Sequence, residues 1–290
     1  MAKKIEKKYK FIDLFAGIGG FHLAFDRNGA ECVFASEWDD KARATYEYNF
    51  KRKQPNLFKE NRFAGDITKV NTSDIPDFNI LTGGFPCQPF SQAGHKKGFD
   101  DVRGTLFFDI VRILEDKKPE AFFIENVRHL FKHDDGKTFE MIKKVIEEDL
   151  GYSFHYKIVK ASDYGLPQLR PRLFMVGFKD KETPFSFPDP KPLKFTMSDV
   201  FDGECTREVG FTLRLGGKGS GIHDRRNWDS YMVDGEVVRL TSKEGKKMMG
   251  FPSSFVFPVS ESDAMRQLGN SVAVDAIQEV AKQIIKSLNS

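Results

Sequence analysis

From Lys10 to Phe178 the chain alternates short β-branched and aromatic runs with longer amphipathic stretches, and no other feature constrains its fold as strongly. Strands separated by helical crossovers pair in parallel, because the crossover returns the chain to the edge it left. FIDLF (11–15) is predicted as a buried strand, AGIGG (16–20) as a tight loop and FHLAFDRNG (21–29) as a helix ended by glycine. Further strands are expected at 31–37, 62–67, 78–84 and 121–127, with helices at 39–50, 105–118 and 138–151. YKIVKASDYG and RLFMVGF supply the last two strands. The fold class is therefore α/β, with a doubly wound, mostly parallel sheet of about seven strands.

After Phe178 the texture changes. KDKETPFSFPDPKPLKF is rich in proline and charge, and RLGGKGSG (214–221) in glycine, so a smaller loop-rich unit is expected over 179–254. TSKEGKKMMGF (241–251) returns to helical character, and residues 255–290 are expected as a return segment that completes the large unit. In 272–288, Val274, Ile277, Val280, Ala281 and Ile284 share one helical face and need a partner surface, which the large unit (1–178) can offer.

Composition narrows the function classes. With 290 residues, 40% of them hydrophobic, the chain can bury a sizeable core. Its 45 basic and 42 acidic residues leave a net charge of only +3, so any nucleic-acid binding must come from local basic patches. Cys32, Cys87 and Cys205 lie far apart without metal-ligand spacing, which predicts free thiols, a reducing cytosol and no metal site. No apolar run is long enough to span a bilayer, and the charged N-terminus lacks the apolar stretch of a signal peptide. A soluble, cytoplasmic protein is expected.

Two loops and two short segments carry chemistry. A glycine-rich turn between strand and helix lets backbone approach a ligand, and Glu37 ends the next strand 20 residues after Gly17, where a carboxylate can accept from ribose hydroxyls. The dinucleotide fingerprint fails, because His22 stands where its last glycine belongs; an ordinary turn and a solvated Glu37 are the plainer readings. GGFPCQPFSQAG (83–94) sets Cys87 between prolines beyond a strand's carboxyl end, a poor strand interior and a good site for a reactive thiolate. Cys32 alternates as a core residue. Glu125, in IENV, ends the neighbouring strand, and burial there would raise its pKa toward proton donation. Arg170 and Arg172, on one side of an extended segment, can hold a phosphate, orient Glu125 or form surface ion pairs.

Taken in order, DLFAGIGGF, GGFPCQPFSQAG, ENV, QLRPRLFMVGF, RLTSKEGKKMMGFP and QLGNSV resemble the DNA (cytosine-5)-methyltransferase family, most closely its small bacterial or phage restriction-modification members, over nearly the whole chain. The resemblance implies an S-adenosylmethionine-dependent methyltransferase sheet with a small target-recognition domain at 179–254. It implies methyl transfer to C5 of a flipped-out cytosine in a short sequence of double-stranded DNA, with S-adenosylhomocysteine as the other product and no metal. Phe15, Gly17, Gly19, Glu37, Trp38, Asp66, Ile67, Pro86, Leu106, Asn270 and Ser271 match positions around S-adenosylmethionine. Trp38 would stack on the adenine, Glu37 hold the ribose and Asp66 the adenine amino group. Cys87 would add to C6 of the base, Glu125 hold and protonate N3, and Arg172 support both; Arg170 is grouped with these catalytic residues.

Ser91 and Gln92 match a loop that closes over the base, and the last helix should fold back beside the first strand. Between 179 and 234 the chain is shorter than many members. There Lys218, His223, Arg225, Arg226 and Asn227 are able to bond phosphates or base edges, or to form only a solvated basic loop. A monomer is expected, in a bacterial or phage-infected cell, with a cognate restriction endonuclease as an indirect partner. The rivals are a tRNA-modifying relative, whose Cys-Phe-Thr signature is missing, a catalytically silent DNA-binding protein and a nicotinamide-dependent oxidoreductase.

Overall fold

The computed structural model describes residues 9–86, 106–214 and 219–290. Its main sheet has seven strands in the order β3-β2-β1-β4-β5-β7-β6. These are β1 (Lys10–Leu14), β2 (Glu31–Ser36), β3 (Phe63–Ala64), β4 (Ile80–Gly84), β5 (Ala121–Val127), β6 (His155–Val159) and β7 (Arg172–Phe178). β1 pairs in parallel with β2 and β4, as do β2 with β3 and β4 with β5, while β7 runs antiparallel between β5 and β6.

The central strands are buried on both sides, and their side chains sort by the period of two that a pleated strand imposes. Phe11 and Phe123 belong to one apolar cluster, whereas Ile12, Leu14, Phe122 and Ile124 belong to the other. The helices α1 (Gly20–Arg27) and α8 (Val274–Ser287) cover the first face, and α3 (Leu106–Lys117) and α4 (Lys137–Lys144) the second. The apolar stripe of α8 is buried as expected, and this helix packs on α1. Two expected boundaries move. The third strand keeps only two residues, because Asp66 turns from the ladder to cap a 3₁₀ turn through Thr68 N (3.0 Å). The fourth helix passes after Lys144 into a π turn at Val145–Asp149.

The unit after Phe178 contains α5 (Met197–Phe201), the hairpin β8 (Ser230–Val233) and β9 (Glu236–Arg239), and α6 (Ser242–Met248). The hairpin turns on Asp234 and Gly235, both at positive φ (50° and 81°). Met197, Leu213, Trp228, Tyr231 and Met248 share one cluster with α1 and α8, so this unit packs onto the same core face. α2 (Asp40–Phe50) follows β2, and α7 (Glu261–Asn270) leads into α8. No helix among the described residues is long and apolar enough to cross a membrane.

Candidate active site

A cleft of about 710 Å³ opens across the carboxyl ends of β1, β2, β4 and β5. Its first wall is the loop after β1, where Phe15, Gly17 and Gly19 all have positive φ (55°, 56° and 87°). For Phe15 that conformation is strained, and it persists in a wall of the cleft. A Cβ on Gly19 would strike the Phe50 ring, and one on Gly20 would stand 2.5 Å from Val272 Cγ2. These glycines bring α1 against α2 and the return segment.

Glu37 is buried, which replaces the solvated reading of this carboxylate. Gly17 N donates to its Oε2 (2.7 Å) and Asp39 N to its Oε1 (2.8 Å). Burial pushes its pKa up, and those N–H groups pull it partly back. Beside it the Trp38 indole is 78% exposed, an apolar face left on the cleft wall. Asp66, Ile67, Pro86, Leu106 and Asn270 line the same cavity. The side-chain and backbone bonds from Thr68 lower the Asp66 pKa. Ser271 is buried, with Oγ 3.2 Å from where a Gly20 Cβ would stand, and neither it nor Gly19 lines the cavity.

On the opposite wall β4 and β5 lie side by side, with Gly84 opposite Glu125. A Cβ on Gly84 would approach Glu125 Oε2 to 3.2 Å, so the glycine gives that carboxylate its room. Arg172 Nε lies 2.9 Å from Glu125 Oε1. Burial raises the Glu125 pKa, and the Arg172 and Arg170 cations act against it. The pair is thus a shielded carboxyl poised toward its protonated form beside a fixed cation. Cys87 follows Pro86 directly in the sequence; with Ser91, Gln92 and Lys218 it lies outside the described residues.

Arg170 and Arg172 do not act as a matched pair. At Arg170 φ is +28°, and its buried guanidinium donates to Leu213 O (3.1 Å), Gly269 O (2.9 Å) and Ser271 O. Those carbonyls come from the small unit and the return segment, so Arg170 straps both to the wall that carries Arg172. Two residues escaped the sequence reading. Asn126 Nδ2 donates to Phe85 O (2.9 Å), fixing the strand end before Cys87 against β5. Gln168 accepts from Leu213 N (3.1 Å) and donates to Met248 O (3.2 Å). The ENV and QLR motifs contain both residues, yet their partners are 41 to 80 positions away and nothing local announces them.

In the small unit His223 and Arg225 are exposed. Arg226 forms a two-pronged pair with Asp224 (2.8 and 3.1 Å). Asn227 is buried and spent on Ile222 O, Ser230 O and Ser230 N, which removes it from the residues free to meet a base edge.

Sheet order, the antiparallel β7 and a cleft shared by the Glu37–Trp38 wall and the Glu125–Arg172 wall define the class: an α/β enzyme built on the methyltransferase sheet. The chain belongs to the C-5 cytosine-specific DNA methylase family, whose description it matches over residues 9–213 and 212–286, and its enzyme class is DNA (cytosine-5)-methyltransferase. It is 41% identical to type II methyltransferase M.SsoII of Shigella sonnei, across 98% of this chain and 82% of that protein. It is 40% identical to type II methyltransferase M.HhaI of Haemophilus parahaemolyticus, across 97% and 95%. Among solved structures the fold is similar to the Entamoeba histolytica methyltransferase EhMeth (TM-score 0.75, 19% identity, 98% of this chain and 100% of that one).

The family implies S-adenosylmethionine as methyl donor, and the first wall fits it. An exposed indole, two acceptor carboxylates and the bare backbone of Gly17, whose Cβ would meet nothing within 4 Å, offer surfaces for a base, a ribose and a close-packed chain.

Proposed function

We propose that this protein methylates C5 of a cytosine turned out of double-stranded DNA, within one short sequence, through a covalent bond between Cys87 and C6. The observation that carries the reading is that the Glu125–Arg172 pair and the Glu37–Trp38 wall open into one cavity. A base and a methyl donor held there face each other. C5 of cytosine is a poor nucleophile, and thiolate addition at C6 turns it into an enamine carbon. Glu125 sits where a proton can be given to N3 as the C6 bond forms, and Arg172 holds that carboxyl in place. S-adenosylmethionine, held by the Glu37–Trp38 wall, would supply an electrophilic methyl for C5, with S-adenosylhomocysteine as the other product. Loss of the C5 proton to water then expels Cys87 as the thiolate, and return of the N3 proton to Glu125 restores the neutral ring. A duplex base cannot reach a recessed carboxyl, so it must leave the stack.

In this reading Trp38 stacks on the adenine, Glu37 meets the ribose, Asp66 meets the adenine amino group and Asn270 closes the cavity. Ser91 and Gln92 belong to the loop over the base, while Lys218, Arg225 and Arg226 contact DNA. Residues 1–178 with 255–290 form the catalytic domain and 179–254 the target-recognition domain. The protein acts as a cytoplasmic monomer, as the modification half of a type II restriction-modification system whose endonuclease it need not touch.

The test is transfer of labelled methyl from S-adenosylmethionine to unmethylated genomic DNA and to bulk tRNA in parallel, with bisulfite sequencing of the DNA. Label at one recurring DNA sequence is expected; label only in tRNA, or in neither, would overturn the reading. Cys87→Ala should still bind cofactor and DNA while losing transfer, and turnover in that variant would remove the covalent step.

A further inference from the structure

Arg172 stands in register with Val127 of β5 on one side and Val159 of β6 on the other. The two chains leave the sheet there side by side, roughly 10 Å apart by two strand spacings. Val127 lines the cleft, and the residues that follow it, Arg128 to Gly136, run in 3₁₀ turns broken by a kink at His133–Asp135. Arg128, His129 and Lys132 of these turns are exposed, as is Lys160, which follows Val159. The side chains of Arg128, Lys132 and Lys160 have no hydrogen-bond or ion-pair partner among the described residues.

Acids lie nearby but are turned to other uses. Asp163 accepts from the backbone N–H of Lys160 (2.9 Å), and Asp134 faces Lys137 (4.0 Å). Many other cations are spent on pairs, among them Lys194 and Arg27 on Asp275, Arg239 on Asp229 and Lys247 on Asp202. Three positive residues whose side chains have no such partner among the described residues therefore follow the ends of β5 and β6 that flank Arg172.

We infer that Arg128, Lys132 and Lys160 form a phosphate-contact strip at the lip of the catalytic cleft, gripping the DNA backbone beside the reacting nucleotide without reading its sequence. The inference rests on duplex DNA being the substrate. Duplex DNA carries one charge per roughly 1.7 Å of axis, and each neutralised phosphate releases counterion, so such contacts give affinity that falls with salt. They set position and leave base discrimination to other groups.

The experiment compares wild type with Arg128→Gln, Lys132→Gln, Lys160→Gln and the triple variant. Binding is measured by fluorescence anisotropy across a salt series on two duplexes, one containing the sequence methylated by the wild type and one of A·T pairs alone. Cofactor affinity and melting temperature serve as controls and should not change. Affinity for both duplexes is expected to fall by the same factor, and the log–log salt slope to become shallower by about one per residue replaced. Unchanged affinity and slope would overturn the strip. Loss confined to the methylated sequence would also overturn it, because that pattern belongs to base readout. A wild type that binds neither duplex would overturn the DNA reading and this inference together.

Discussion

Glu125 shows how a single residue's environment decides its chemistry. Burial favours the neutral carboxyl, while the guanidinium at 2.9 Å favours the carboxylate, and the net displacement of the pKa is upward. A proton donor works only while protonated, so turnover should fall as pH rises through that raised pKa. Arg172 pulls the value down; replacing it with glutamine removes the pull, and the alkaline limb of the kcat profile should move to higher pH in Arg172→Gln. Profiles of the two proteins at saturating DNA and cofactor would check the sign, and a limb that stays in place or moves to lower pH would remove Glu125 as the titrating donor. Glu125 and Arg172 were legible in the sequence because each lies within a short distinctive motif, near the end of β5 and at the start of β7. Arg170 and Asn227 were legible only as polar residues able to bind something. Arg170's acceptors lie 43 to 101 positions away, and Asn227 is spent on Ile222 O in the preceding loop and on Ser230 at the start of β8.

At the scale of elements, the alternation of strands and helices carried most of the sheet into view, including the number of strands. It could not reveal that Asp66 leaves the third strand after two residues, since RFAGDI reads equally well as a longer strand until the Thr68 cap forms. The strap from the 167–170 segment was also beyond local pattern. There Gln168 and Arg170 hold the small unit at Leu213, and Arg170 alone holds Gly269 and Ser271. Arg170→Met would leave three buried carbonyls without that donor, at about 1–3 kcal/mol for each bond unmade. Denaturant unfolding should therefore show a loss of roughly 3 kcal/mol or more. Asn270 lies between two of those carbonyls and lines the cleft, so in a variant that still folds KM for cofactor should rise more than kcat falls. A stability within experimental error of the wild type would mean that the strap is not what joins these elements.

For the whole molecule, the question is whether the small unit melts apart from the sheet. Its apolar residues Met197, Leu213, Trp228 and Tyr231 share a cluster with α1 and α8. The ion pairs of Asp275 with both Arg27 and Lys194 tie α8 to α1 and to residue 194 of the small unit. A unit whose core is continuous with its neighbour's gains little by opening alone, because opening exposes both sides of the shared surface. Calorimetry should accordingly record one transition, with calorimetric and van't Hoff enthalpies equal. S-adenosylhomocysteine contacts only the cleft in the proposed reading, yet at a hundredfold excess over its Kd it should stabilise the folded chain by about 2.7 kcal/mol and move that single peak upward intact. If the peak instead split, with a small-unit transition left at the original temperature, the shared cluster would be a contact between two independently stable parts. Cofactor binding would then leave the order of the small unit unchanged; a peak that moves as one means that filling the cleft also stabilises the small unit.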